Sequence, residues 1–232
     1  MRSYTSLAAS YDDLTYDVPY SDFLKFYKNE FHRAEGQIQL VLDLCCGTGT
    51  MTKLLYDEGY DVIGVDSSED MLMKAREKLP DILLLCQDAA DLDLYGTVDA
   101  CISSLDSINY IKPSEFKKLL RKLSCFIRPK GIFIFDIRPE KWLAEMDGYT
   151  SVDENEDILC LWRADFDKRK KALNYSVDIF ERDGEHWLRN TEDHTEYVYD
   201  IDSICAELEN NNFTDISVIE NNERFFISAL RK

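Results

Sequence analysis

The chain has 232 residues, 45% of them hydrophobic, with nine glycines and five prolines, which suits one α/β domain with a modest insertion and excludes collagen-like and low-complexity classes. Its 27 basic and 45 acidic residues leave a formal charge of −18, which repels polyphosphates and argues against a nucleic-acid partner. No apolar run is long enough to span a bilayer and the first residues carry no apolar signal core, so the expectation is a soluble, cytoplasmic monomer or homodimer with no membrane partner.

In chain order, residues 1–35 form an expected helical cap. Phe23, Phe26, Tyr27 and Phe31 draw a helical stripe beside the tyrosine-rich stretch from Tyr4 to Tyr20. Residues 36–138 read as the core. IQLVLDL is a buried parallel strand that feeds CCGTGT, and a short helix follows from Met51 to Glu58, ended by Gly59. The alternation continues through VIGVD, a helix capped by Ser67 or Ser68 with Met71, Leu72 and Ala75 inward, and the strands ILLLC and VDACISS. A helix opened by Pro113 then runs through Phe126, and Gly131 precedes the strand IFIFDI. Such alternation demands right-handed crossovers and a sheet covered on both faces.

Residues 139–199 change period. ILCLWRADF, ALNYSVDIFE and HWLRNTEDHTEYVY read as antiparallel strands, the latter two joined through Arg182, Asp183 and Gly184, and form an insertion beside the active face. Residues 200–232 supply a helix from Ile201 to Asn210 and a closing hairpin around Asn221 and Asn222. The fold class expected is α/β, a Rossmann-like doubly wound seven-stranded sheet, parallel with an antiparallel last strand, carrying a helical N-terminal cap and an antiparallel insertion after strand five. Lys117, Lys118, Arg121, Lys122, Arg128 and Lys130 read as the solvated side of a helix rather than a phosphate track. Of the seven cysteines, Cys86, Cys101, Cys125 and Cys205 are expected as reduced core residues. Cys45 and Cys46 read as small turn-lining residues, because no metal-ligand spacing surrounds them, and no metal is expected.

In an open α/β sheet, ligands bind beyond the carboxyl ends of the strands where strand order reverses, which is where Asp43 to Gly49 fall. Gly47 and Gly49 let the backbone turn tightly and approach a ligand. A dinucleotide fingerprint would require a third glycine where Thr52 stands. Asp43 faces a pyrophosphate unfavourably but suits a ligand carrying an ammonium and a sulfonium, such as S-adenosyl-L-methionine. Asp66, about twenty residues on, ends the second strand where a carboxylate accepts ribose hydroxyls, and Asp88 ends the third in reach of an adenine amino group.

DLCCGTG, VIGVDSSEDML, CQDAADL and VDACISSLDSINYI, in that order, resemble the motifs of the class I S-adenosylmethionine-dependent methyltransferases, closest in pattern to bacterial small-molecule N-methyltransferases of the amino-sugar type. The resemblance covers nearly the whole chain and departs at Cys45, where the commonest form has glycine. It implies that Cys45 and Gly47 contact the methionine portion, Asp66 with Ser67 beside it the ribose, Met71 one adenine face, Asp88 and Ala89 the adenine edge, and Leu105 the other flank. Tyr11 is similar to a tyrosine that closes over cofactor and acceptor, while core packing explains it equally well. His194 resembles an acceptor-side histidine, although Tyr197 stands where arginine commonly follows; an ordinary strand residue is the competing reading, as it is for His186. Asp106 and Asn109 either line the acceptor pocket or cap the next helix.

The implied activity is methyl transfer to an N or O nucleophile of a small molecule, with S-adenosyl-L-homocysteine as product. Positioning suffices for much of the rate, at roughly 7 to 11 kcal/mol of effective-molarity gain, so no general base is assigned; Tyr11 and His194 are the candidates. The alternatives are a methyltransferase acting on protein or RNA and a cofactor-binding regulatory module without turnover.

Overall fold

The structure, a computed structural model, describes Ala8 and residues 11–154, 156–221 and 223–232, with the side chains of Asp13 and Leu14 excluded. Tyr4, much of the expected cap before Tyr11, and Asn222 of the closing turn lie outside the described residues. The strands are β1 (Leu40–Leu44), β2 (Asp61–Asp66), β3 (Leu83–Cys86), β4 (Val98–Ser103), β5 (Ile127–Ile137), β6 (Thr150–Glu154), β7 (Ile158–Asp167), β8 (Ala172–Asp183), β9 (His186–Tyr197), β10 (Phe213–Glu220) and β11 (Phe225–Arg231). The helices are α1 (Tyr11–Leu14), α2 (Tyr20–Phe31), α3 (Thr50–Asp57), α4 (Glu69–Lys78), α5 (Pro113–Phe126), α6 (Glu140–Glu145) and α7 (Ile201–Asn210).

The main sheet has the order β10-β11-β5-β4-β1-β2-β3. β1 to β5 run parallel, and β11 lies antiparallel to both β5 and β10, as the expected seven-stranded fold class requires. The chain works outward from β1 to β3, then returns to place β4 on the other side of β1. That reversal opens a crevice between the carboxyl ends of β1 and β4.

Successive residues of β5 explain why the strands read as unbroken apolar runs. Ile132 and Ile134 join a core with Phe23, Tyr27 and Leu55 of α2 and α3, while Phe133 and Phe135 join the opposite core with α5 and α7. On α5, Phe116, Leu119, Leu120 and Leu123 recur at helical spacing and are buried, each contributing about 1.5–3 kcal/mol of hydrophobic stabilisation. The opposite face of α5 carries Lys117 and Lys118, which pair with Glu207 and Glu115 in solvent. Arg128 and Lys130 depart from the expected helical cluster, because β5 begins at Ile127 and Arg128 pairs with Asp99.

The insertion forms a second sheet, β6-β7-β8-β9, antiparallel throughout. It also contains α6, which the alternating pattern did not announce, since six residues behind Pro139 are too few to show a helical period. β6 was likewise not anticipated: almost all of its side chains are exposed, so no alternation of burial shaped its composition. All seven cysteines are free, but Cys86 and Cys125 are exposed rather than in the core. Cys86 closes β3, an edge strand of the main sheet.

Gly131 lies inside β5, next to the register shift between Val98 and Ala100 of β4. A Cβ there would come within 2.5 Å of the Asp99 carbonyl oxygen and 2.9 Å of the Arg128 carbonyl oxygen, both backbone atoms unable to yield without moving a strand. Gly131→Ala is expected to cost about 1–3 kcal/mol in urea denaturation, and an unchanged midpoint would show that the bulge accommodates the methyl group.

Candidate active site

The crevice is lined first by the loop after β1. Cys45 and Gly47 both adopt left-handed backbone, with φ of 61° and 54°, and a Cβ on Gly47 would meet nothing within 4 Å, so the space above the loop is open. Gly49 is left-handed for another reason. Its Cα faces α4, where a Cβ would lie 3.0 Å from Leu79 and 3.1 Å from Ala75, so it allows close helix packing and does not line the main cavity.

Asp66 at the end of β2 accepts the Gly47 N–H at 2.8 Å and the Ser68 N–H at 2.9 Å, which ties the glycine loop to β2. Burial raises its carboxyl above the usual range while those N–H groups pull it back. Asp43 lies deeper: it is 1% exposed and accepts the Thr52 hydroxyl at 2.6 Å. Thr52, the residue that stood where a dinucleotide loop would have glycine, is therefore the partner of the buried acid. Burial, reinforced by Asp66, pushes Asp43 up to about 7. It supports the loop from below and faces a small side cavity with Tyr11 and Tyr20.

A single cavity of about 1040 Å³ runs from this loop to the insertion sheet. At the loop end it is lined by Cys45, Gly47, Asp66, Ser67, Met71, Asp88, Ala89 and Leu105. Met71 is buried, with its backbone N–H capped by Ser68 at 3.3 Å, whereas Ser67 is exposed on the rim. Asp88 accepts the Ala90 N–H at 2.8 Å and is exposed, so it both caps a turn and faces the cavity. Carboxylates at two strand ends, an open glycine loop and an apolar slot between Met71 and Leu105 form a donor set that fits an adenosyl ligand with a cationic tail.

Tyr11 reaches the cavity from α1 and packs against the Cys160, Val177 and Ile179 cluster of the insertion, so its cavity-lining and packing readings coincide. Its neighbour Asp12 pairs with Lys78 at 2.6 Å and accepts the Thr48 hydroxyl at 2.6 Å, strapping α1 across the glycine loop. Across the crevice, Leu105 and Asp106 form consecutive left-handed positions without glycine, with φ of 56° and 52°. The Asp106 N–H donates to Asp136 at 2.9 Å, and Arg224 bridges the carboxylates of Asp106 and Asp136. Burial lifts Asp136 to about 6, with Arg224 opposing.

At the insertion end lie Tyr110, Arg138, Trp142, Trp162, Tyr175, His194 and Glu196. Arg138 stacks on Trp142 with its guanidinium carbon 4.0 Å from the ring centroid. His194 is buried, 3.2 Å from Glu192 and edge-on to Tyr110, while His186 is exposed at the hairpin tip. Asn109 does not line the cavity. It is fully buried, accepting the Arg138 N–H at 2.9 Å and donating to the Tyr197 carbonyl at 3.0 Å, a bracket between the ends of β5 and β9.

Of the residues singled out from the sequence, Tyr11, Cys45, Gly47, Asp66, Ser67, Met71, Asp88, Ala89, Leu105, Asp106 and His194 meet around this cavity, whereas Asp43, Gly49 and Asn109 support it from behind. Asp12, Arg138, Arg224, Trp162 and Glu196 were not singled out. For Glu196 a signal existed: Glu192, His194 and Glu196 alternate on one face of β9 and all three are buried.

Residues 41–131 match a methyltransferase-domain family. The putative methyltransferase YqeM of Bacillus subtilis (strain 168) is 30% identical over 245 residues, spanning 97% of this chain and 96% of that protein. A dTDP-3-amino-3,4,6-trideoxy-alpha-D-glucopyranose N,N-dimethyltransferase of Streptomyces venezuelae is 33% identical over 116 residues, spanning 49% of this chain and 48% of that one. The crystal structure of an S-adenosylmethionine-dependent methyltransferase from Clostridium acetobutylicum ATCC 824 is 26% identical, covers 98% of both chains and superposes with a TM-score of 0.83.

Because Asp43 moves from its ordinary 3.8 to about 7 on folding, its contribution to stability is present at low pH and is lost as the pH rises through 7. Asp43→Asn, which can still accept the Thr52 hydroxyl but cannot ionise, is expected to lose less stability than the wild type between about pH 5 and about pH 8.5. Thermal denaturation of the cofactor-free protein at both pH values measures this, and equal losses would show that Asp43 is not the titrating group.

Proposed function

Starting from the fact that the chain belongs to the S-adenosylmethionine-dependent methyltransferases, we propose that it methylates an N or O nucleophile of a small molecule held beside the cofactor. The observation that carries this reading is the continuous cavity of about 1040 Å³, which has room for a small ligand in addition to the adenosyl group. The relative from Streptomyces venezuelae, named for an amino-sugar nucleotide, supports an acceptor of that size class. No helix among the described residues is long and apolar enough to cross a membrane.

S-adenosylmethionine supplies a methyl group made electrophilic by its positive sulfur. In this reading Asp66 accepts the ribose hydroxyls, Asp88 the adenine amino group, and Met71 and Leu105 flank the base, while the backbone at Cys45 and Gly47 faces the methionine portion. Tyr11 closes the cavity. Burial, with Tyr20 and Asp106 adding, holds its hydroxyl well above the usual range, so it stays protonated and acts as a lid and hydrogen-bond donor rather than a base. The chain's main contribution is to hold the nucleophile in line in a pocket that excludes water.

Incubation with methyl-labelled cofactor and a metabolite extract tests the reading directly. A labelled small molecule is the expected product, and label found only on protein or RNA would refute it. Asp66→Ala is expected to weaken cofactor binding by about 1.5–3 kcal/mol in calorimetric titration, and unchanged affinity would remove Asp66 from the ribose site.

A further inference from the structure

Of the buried carboxylates at the insertion end, one makes no ion pair among the described residues. Asp106 faces Arg224 and Arg138, Asp136 faces Arg224, and Glu192 faces His194. Glu196 is 2% exposed, lines the cavity and makes no ion pair among the described residues. Its Oε2 is sealed from solvent with no hydrogen-bond partner, and so is Nε1 of Trp162 on the same cavity. A buried acceptor and a buried donor left unmade, both at one ligand-sized space, cost free energy that a polar ligand would return.

We propose that Glu196 anchors the acceptor as an ammonium ion and takes its proton, so that the acceptor is an amine. This rests on the small-molecule reading above. The groups facing Glu196 are the Asp106 carboxylate, the guanidinium groups of Arg138 and Arg224, and the hydroxyls of Tyr110 and Tyr175. Because both guanidinium groups are committed to Asp106, an arriving ammonium finds an unshared carboxylate oxygen. In the proton step an N–H bond breaks, its electron pair stays on nitrogen and the proton bonds to Glu196. That pair then forms the bond to the methyl carbon as the carbon–sulfur bond breaks with its pair left on sulfur, and the proton on Glu196 later passes to water.

Burial, with Asp106 adding, raises Glu196 to about 8. An alkylammonium titrates near about 10, as lysine does, so transfer to Glu196 is only modestly uphill, whereas an ordinary carboxylate would lie far below.

Cyclohexylamine and cyclohexanol, alike in shape and different in charge, test the assignment on the full chain saturated with S-adenosylhomocysteine. Fluorescence of the cavity-lining Trp142 and Trp162 reports binding. The amine is expected to bind the wild type at least about tenfold more tightly than the alcohol, and Glu196→Gln to remove that preference. Infrared difference spectra should show a protonated-carboxyl band, absent from Glu196→Gln, that the amine bleaches and the alcohol does not. Equal binding of both probes, unchanged by Glu196→Gln, overturns the role of Glu196 and leaves the small-molecule reading standing. Binding of neither probe to the wild type overturns both. If Glu196→Gln does not fold, the wild-type spectra decide: a band unmoved by the amine overturns the proposal.

Discussion

Negative charge is concentrated along one edge of the main sheet. Asp43 and Asp66 lie at the ends of β1 and β2, Asp88 and Asp106 just beyond β3 and β4, and Asp136 near the end of β5. Carboxylates so close together, all but Asp88 buried or half-buried, are tolerated only if each is answered by a donor. The answers come from different sources: a hydroxyl for Asp43, backbone N–H groups for Asp66 and Asp88, and Arg224 with the Asp106 N–H for Asp136. Arg224 comes from the turn before β11, the strand that pairs with β5. The last strand of the chain thereby completes the electrostatics of the crevice that the first strand opens.

The segment after β4 is where the two ends of the cavity meet. Its left-handed Leu105 and Asp106 store about 1–3 kcal/mol each of backbone strain, which persists only because the surroundings over-determine them. Arg224 and Asp136 grip Asp106, and Asn109 pins the following turn to Arg138 and Tyr197. This wall is rigid. The opposite wall, α1, is strapped by Asp12 to Lys78, a partly exposed pair of the kind worth only about 0–1 kcal/mol.

Much of the core was legible because its signals are local. Apolar runs ending in acids, glycines at turns and a proline opening α5 each act within a few residues, and the structure returned β1 to β5 and the helices between them close to the expected spans. What escaped had no local period to read: α6 was too short, β6 had no buried face, and the start of β5 was obscured by the charged residues before Gly131. Asn109 shows the same limit at a single side chain. Its position after β4 offered it equally to the acceptor pocket or to a cap on the next helix, but its amide is consumed by two other strand ends.

By itself, the sequence determined the doubly wound layers, the left-handed glycine loop and the carboxylates that end the strands, since side-chain periodicity and backbone sterics act between near neighbours. Only the tertiary structure decided which charges face one another. Arg224 meets Asp106 across a separation of 118 residues, and β9 lays Glu196 beside the turn after β4. A strand pattern states which side of the sheet a residue occupies, but what lies opposite is set by how the insertion folds back over the crevice.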